Sequence, residues 1–197
     1  GYYAEPFNAN FDFNDKKDGI VKIDLTKNSS SLLISIDSLK NLKPKNSMSN
    51  ARHGINHIQI APSGKRFMFL HQWYSPNGRK FGRLITANID GSNMYVLSDD
   101  GMVSHCNWKN DNEIIGWMFK KDFGNGYFLL RDESKDFKQV GKSVLSQDGH
   151  PTVSPCSKYL LTDTYPDRFR MSHVLLYEFD TNKLHVLGSF YTPIKFH

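Results

Sequence analysis

The chain is poor in cysteine. Two thiols, Cys106 and Cys156, stand among 197 residues, too few for a disulfide framework and not spaced as a Cys-x-x-Cys pair. Such usage leans towards a reducing compartment, the bacterial cytoplasm ahead of the periplasm. No apolar run approaches the roughly 20 residues that a membrane-spanning helix needs, so no membrane span is expected. An excess of charge is also lacking. The 25 Lys and Arg against 20 Asp and Glu leave a formal charge of +5, which favours anionic partners in general but is too small and dispersed to imply nucleic acid. The densest basic stretch, KNLKPKNSMSNARHG at 40–54, reads as a solvated loop rather than a phosphate-binding patch. Long helical periodicity is missing, and SIDSLKNL at 35–42 can form a short helical turn at most. Without a Ser-His-Asp order, a paired-carboxylate motif or a phosphate loop, nothing points to a hydrolase or a kinase.

What is present is a repeat. INHIQIAPSGKRFMFLHQW (55–73), VSHCNWKNDNEIIGWMF (103–119) and DGHPTVSPCSKYLLTDTY (148–165) each carry a histidine, a few residues of strand character, a polar turn and an apolar strand. The turns PSGK, KNDN and PCSK are of the kind that joins antiparallel neighbours. His57, His105 and His150 recur at intervals of 48 and 45 residues. After each second strand come two more, with hairpin turns such as NIDGSN and FDTNK. A unit of this size with four strands is the signature of a β-propeller blade. GIVKIDLTKNSSSLLIS (19–35) supplies one further strand–turn–strand half whose first two strands are not obvious. The fold expected is therefore all-β: a partial blade over 1–50 and blades over about 51–101, 102–147 and 148–193. These three and a half to four blades are expected to form one domain, or a portion of a longer seven-bladed ring, with YTPIKFH at 191–197 beginning another blade.

The turn pattern, with APSGK at its clearest, resembles the TolB-type (WD40-like) propeller repeat. A closer resemblance lies in NHIQIAPSGKRFMFLHQW, GRLITANIDGSN, SHCNW and GHPTVSP. Their order and approximate spacing over residues 55–160 resemble oligogalacturonate lyases, which are seven-bladed propellers. On that resemblance His105 takes the position of the catalytic base and Arg83 that of an arginine that binds or polarises a uronate. His150 takes one ligand position of a divalent, manganese-like cation. The sequence departs from the family pattern at Gln72, Gly82 and Ser104, where the family has glutamate, aspartate and glycine.

Equivalent positions at the start of each innermost strand converge on one mouth of a propeller, and His57, His105 and His150 hold those positions. β-Elimination from a uronate requires removal of the proton next to the carboxylate, and an imidazole beside a cation can take it. His57, His71, Trp73 and Arg168 are the candidate substrate contacts, Trp73 by stacking on a sugar ring. The candidates have plainer readings: His57 and His71 as a hydrogen-bonded structural pair, His150 as an imidazole that only ties neighbouring strands, Trp73 as a filler between sheets, Arg83 as half of an ion pair, and TDTYPDR (162–168) as a turn fixed by Pro166. Two functions follow: recognition of an acidic oligosaccharide, with or without lyase chemistry, and a non-catalytic scaffold for a protein partner.

Overall fold

The computed structural model describes residues 15–193. The first 14 residues of the expected partial blade, and the last four of the expected further one, lie outside that range. The chain runs through β1 (Gly19–Asp24), β2 (Ser29–Ser35), a short helix α1 (Ile36–Asn41) and a 3-10 turn (Asn46–Met48). Three antiparallel sheets follow, each made of four strands in simple sequence order. The first holds β3 (Arg52–Ile60), β4 (Arg66–Tyr74), β5 (Lys80–Asn88) and β6 (Tyr95–Gly101). The second holds β7 (Val103–Asn110), β8 (Glu113–Lys120), β9 (Gly124–Arg131) and β10 (Phe137–Val140). The third holds β11 (Thr152–Val153), β12 (Tyr159–Asp163), β13 (Met171–Glu178) and β14 (Lys183–Tyr191).

Turn chemistry sets these boundaries. Gly64 in PSGK and Gly91 in NIDGSN have φ of 72° and 83°, a region that only glycine enters without strain. The amide of Gly91 closes its turn on the Asn88 carbonyl at 2.8 Å. Asp90 accepts from the Ser92 amide at 2.9 Å, so the Asp-Gly-Ser order terminates β5 and reverses the chain.

The middle strands of the first two four-stranded sheets are apolar on both faces because each of these sheets is sandwiched between others. On β4, Phe67 and Phe69 face one way, into a core with Ile20, Ile34, Leu39 and Ile85. Met68 and Leu70 face the other way and meet Trp108, Ile114 and Met118 of the second sheet. The same alternation sends Ile115, Trp117, Tyr127 and Leu129 towards Leu160 and Tyr177 of the third sheet. A period of two thus builds three separate cores, one in each gap between neighbouring sheets. Polar clips cross the same gaps: Arg66 pairs with Asp132 at 2.6 Å, and the Tyr127 hydroxyl meets Thr162 at 2.8 Å. The sheets stack so that the first strands are neighbours, β7 lying between β3 and β11.

The stretch 40–54, expected as a solvated loop, is mostly exposed and is tied to the first sheet through Ser47 and Trp73. Leu39 and Met48 are buried, and Lys40 and Lys45 pair with Asp15 and Asp99 at 2.6 and 2.7 Å. Two of its three lysines are engaged in local ion pairs and Lys43 lies over the Tyr95 ring, which favours the reading against an anion patch. Among the described residues no helix is long and apolar enough to cross a membrane.

Candidate functional site at the histidine mouth

The adjacency of β3, β7 and β11 brings three of the expected histidines together. His57 and His105 lie with ring centroids 5.2 Å apart, and His105 and His150 with theirs 4.1 Å apart. Tyr165, just after β12, sits 6.2 Å from His105 and 6.0 Å from His150. His105 is the buried member at 9% exposure, His57 is half-buried and His150 exposed. The local backbone explains how His57 joins them. It has φ of 52° at a bulge where the register of β3 against β4 shifts between Asn56 and Gln59. Bulges re-aim side chains in this way.

Two carboxylates orient the cluster. Asp148 lies 3.3 Å from His105 Nδ1 and accepts from the Ser104 hydroxyl at 2.6 Å. Asp163 accepts from the His150 amide at 2.6 Å and lies 2.9 Å from its Nδ1. A carboxylate on Nδ1 fixes the proton there and leaves Nε2 as the basic nitrogen. Gly149 is required by the close approach of these strands, since a Cβ there would collide with the Asp163 carbonyl oxygen. Burial works against the Asp163 carboxylate, yet the hydrogen bonds from His150 outweigh it and hold its pKa below the ordinary value. Burial, followed by the charges of His105 and His150, lowers the pKa of His57 and favours its neutral form. A pocket of about 260 Å³ opens beside His150, walled by Tyr165, His173 and Phe190.

The other expected residues lie in a different constellation. Arg83 and Trp73 are both fully buried. Arg83 Nε donates to His71 Nδ1 at 3.1 Å. Its terminal nitrogens donate to the carbonyls of Leu39 and Lys43 at 2.7 and 3.2 Å. His71 in turn meets His53 Nδ1 at 2.9 Å. The structural partner of His71 is thus His53, not His57. Burial, then the charge of Arg83, pushes the His71 pKa down to about 3. Arg83 is committed to the carbonyls around the end of α1 and to His71, so it is not placed to bind or polarise a uronate as the resemblance implied. Trp73 donates to Ser47 at 3.2 Å and stacks on Phe81, leaving no open face for a sugar ring. Arg168 is exposed at the tip of a turn closed by the Arg170 amide on the Asp167 carbonyl at 2.9 Å, and its guanidinium lies over Phe169.

For the expected manganese-like cation, carboxylate-held imidazoles are suitable in kind. They are insufficient in number: among the described residues no group of three or more His, Cys, Asp or Glu side chains is arranged to hold a metal ion. Burial raises the Cys106 thiol, so it offers no nucleophile at neutral pH.

Neither a protein-family model nor a curated protein sequence matches this chain. Among solved structures, it is similar to an oligogalacturonate lyase in complex with manganese, with a TM-score of 0.58 and 10% identity, over 86% of this chain and 47% of that one. It is also similar to the acylaminoacyl peptidase of Pyrococcus horikoshii, with a TM-score of 0.54 and 10% identity, over 76% of this chain and 26% of that one. The three four-stranded sheets are propeller blades. The chain spans about half, and about a quarter, of the two structures it resembles, and at this identity the likeness concerns the fold alone.

Asp148 and Asp163 are the carboxylates that hold His105 and His150, pairings that the repeat alone did not single out. A signal for Asp148 existed in DGH, an acidic residue two positions before the histidine. Asp163 could be placed only through the pairing of neighbouring strands.

Proposed function

We propose that the histidine mouth binds an acidic oligosaccharide. The observation that carries this reading is the convergence of His57, His105 and His150 from three successive blades, two of them held by carboxylates. Imidazoles in this setting donate to or take protons from sugar hydroxyls, and any that are protonated attract a uronate carboxylate. The net charge of +5 favours the same ligands over neutral ones. Within the TolB-like reading of the blades, His105 is the group suited to proton abstraction. Asp148 holds its Nδ1, so Nε2 takes the proton next to the uronate carboxylate, a carbon–carbon double bond forms, and the glycosidic oxygen leaves with the bonding pair and takes a proton from water. His150 and Tyr165 flank that position. The implied divalent cation finds no complete ligand set among the described residues.

The test is absorbance of the unsaturated uronate on incubation with oligogalacturonate, with and without added manganese, in the wild-type chain and in His105→Ala. Rising absorbance that His105→Ala abolishes supports the lyase chemistry. Binding without absorbance change restricts the function to recognition, and absence of binding refutes the saccharide reading.

A second reading, a scaffold for a protein partner, is favoured by the outer face of the third blade. Leu161 and Phe190 are 41% and 59% exposed there, apolar groups of the kind that mark interaction surfaces. Retention of a partner by the wild-type chain, lost in Leu161→Asp, is the corresponding test.

A further inference from the structure

A second cleft adjoins the histidine mouth. It has a volume of about 330 Å³, lies between the first and second blades, and is lined by Gln72, Lys80, Gly82, Ser104, Trp117 and Asp148 among others. Ser104 and Asp148 are the residues that hold His105, so the cleft and the mouth share a wall.

The cleft exists because the paired ends of β5 and β6 carry glycine. Gly82 pairs with Gln72 on one side and Gly101 on the other. Gly101 has φ of 100°, which excludes most other residues. At Gly82 a Cβ would make only ordinary contacts, the nearest 3.5 Å from the Gln72 side chain, so the room there is not imposed by backbone strain. The lining combines an aromatic edge at Trp117, hydrogen-bonding groups at Gln72 and Ser104, one cation, and the Asp148 carboxylate, whose charge is taken up by Ser104 and His105. Lys80 is exposed, and its positive charge reaches the mouth, where it contributes to lowering the pKa of His57. An aromatic wall, fixed polar groups and a single cation match a sugar ring bearing one carboxylate.

We propose that this cleft is a second sugar subsite, taking the uronate residue next to the one at the histidine mouth, with Lys80 as counter-ion to its carboxylate. It rests on the reading of the mouth as an acidic-saccharide site. The shared Asp148 then holds His105 on one side and borders the second sugar on the other, so affinity and His105 geometry both depend on chain length.

Calorimetric titration of the whole chain with galacturonic acid, digalacturonate and trigalacturonate tests this. The variants are Gly82→Leu, which fills the cleft, and Lys80→Gln, an exposed change that keeps the test available should Gly82→Leu not fold. The wild type is expected to bind the disaccharide at least about tenfold more tightly than the monosaccharide. Gly82→Leu should abolish that gain while leaving monosaccharide affinity unchanged, and Lys80→Gln should reduce the gain several-fold. A disaccharide gain that persists in both variants overturns the subsite and leaves the mouth reading standing. Failure of the wild type to bind any of the three overturns both.

Discussion

Acid should loosen this protein through one buried imidazole. Arg83 donates from Nε to His71 Nδ1, so the ring proton of His71 sits on Nε2 and is donated to His53 Nδ1. A second proton on His71 would have to replace the Arg83 hydrogen bond in a site with no solvent exposure. Burial and the arginine charge accordingly hold its pKa at about 3, against 6.5 for the free group. The unfolded chain takes up the proton as pH falls below 6.5 and the folded chain does not, so stability declines from there until pH 3. From pH 7 to pH 5 this one group removes about 2 kcal/mol, equivalent to a fall in Tm of roughly 4–8 °C for a chain of this size. His71→Gln retains an acceptor for Arg83 and a donor for His53 but does not titrate. Chemical denaturation of both proteins at half-unit steps between pH 7 and 4.5 should show the wild type losing stability faster, with the gap widening on acidification. Parallel curves would refute the neutral, arginine-capped His71.

Arg83→Met should cost about 3–5 kcal/mol, because it strands the carbonyls of Leu39 and Lys43 and leaves His71 without its donor; denaturant midpoints measure it. Gly149→Ala should separate His150 from Asp163 and destabilise the chain by about 1–3 kcal/mol, visible as altered His150 ring resonances and a lower Tm. Asp163→Asn keeps the shape but weakens the grip on His150, and should lower affinity for acidic oligosaccharide roughly tenfold with little loss of fold.

The blades were legible because their turns require special residues at fixed offsets: Gly64 and Gly91 occupy positive φ and stop their strands where the sequence says they stop. The meeting of His57, His105 and His150 followed from the repeat, since equivalent positions in stacked blades become neighbours. Arg83 and Trp73 were misplaced for a shared reason. Both lie on strands of the first blade whose exposure is decided by what covers them, and the cover, α1 and the turn at Asn46–Met48, comes from a stretch so rich in Lys, Asn and Ser that its two apolar anchors, Leu39 and Met48, were easy to overlook. The pairing of His71 with His53 was hidden similarly, being set by the cross-strand register that places His53 opposite Trp73 and His71 opposite Arg83. Sequence spacing does not report which side of a bulged strand a residue meets.

The most direct test of the histidine mouth is a titration of the isotopically labelled chain with trigalacturonate, read from its histidine ring resonances. The account predicts that His57, His105 and His150 shift together and saturably, while His53 and His71 stay fixed in their buried relay. Shifts confined to the exposed His185, or no shift in any ring, would contradict it.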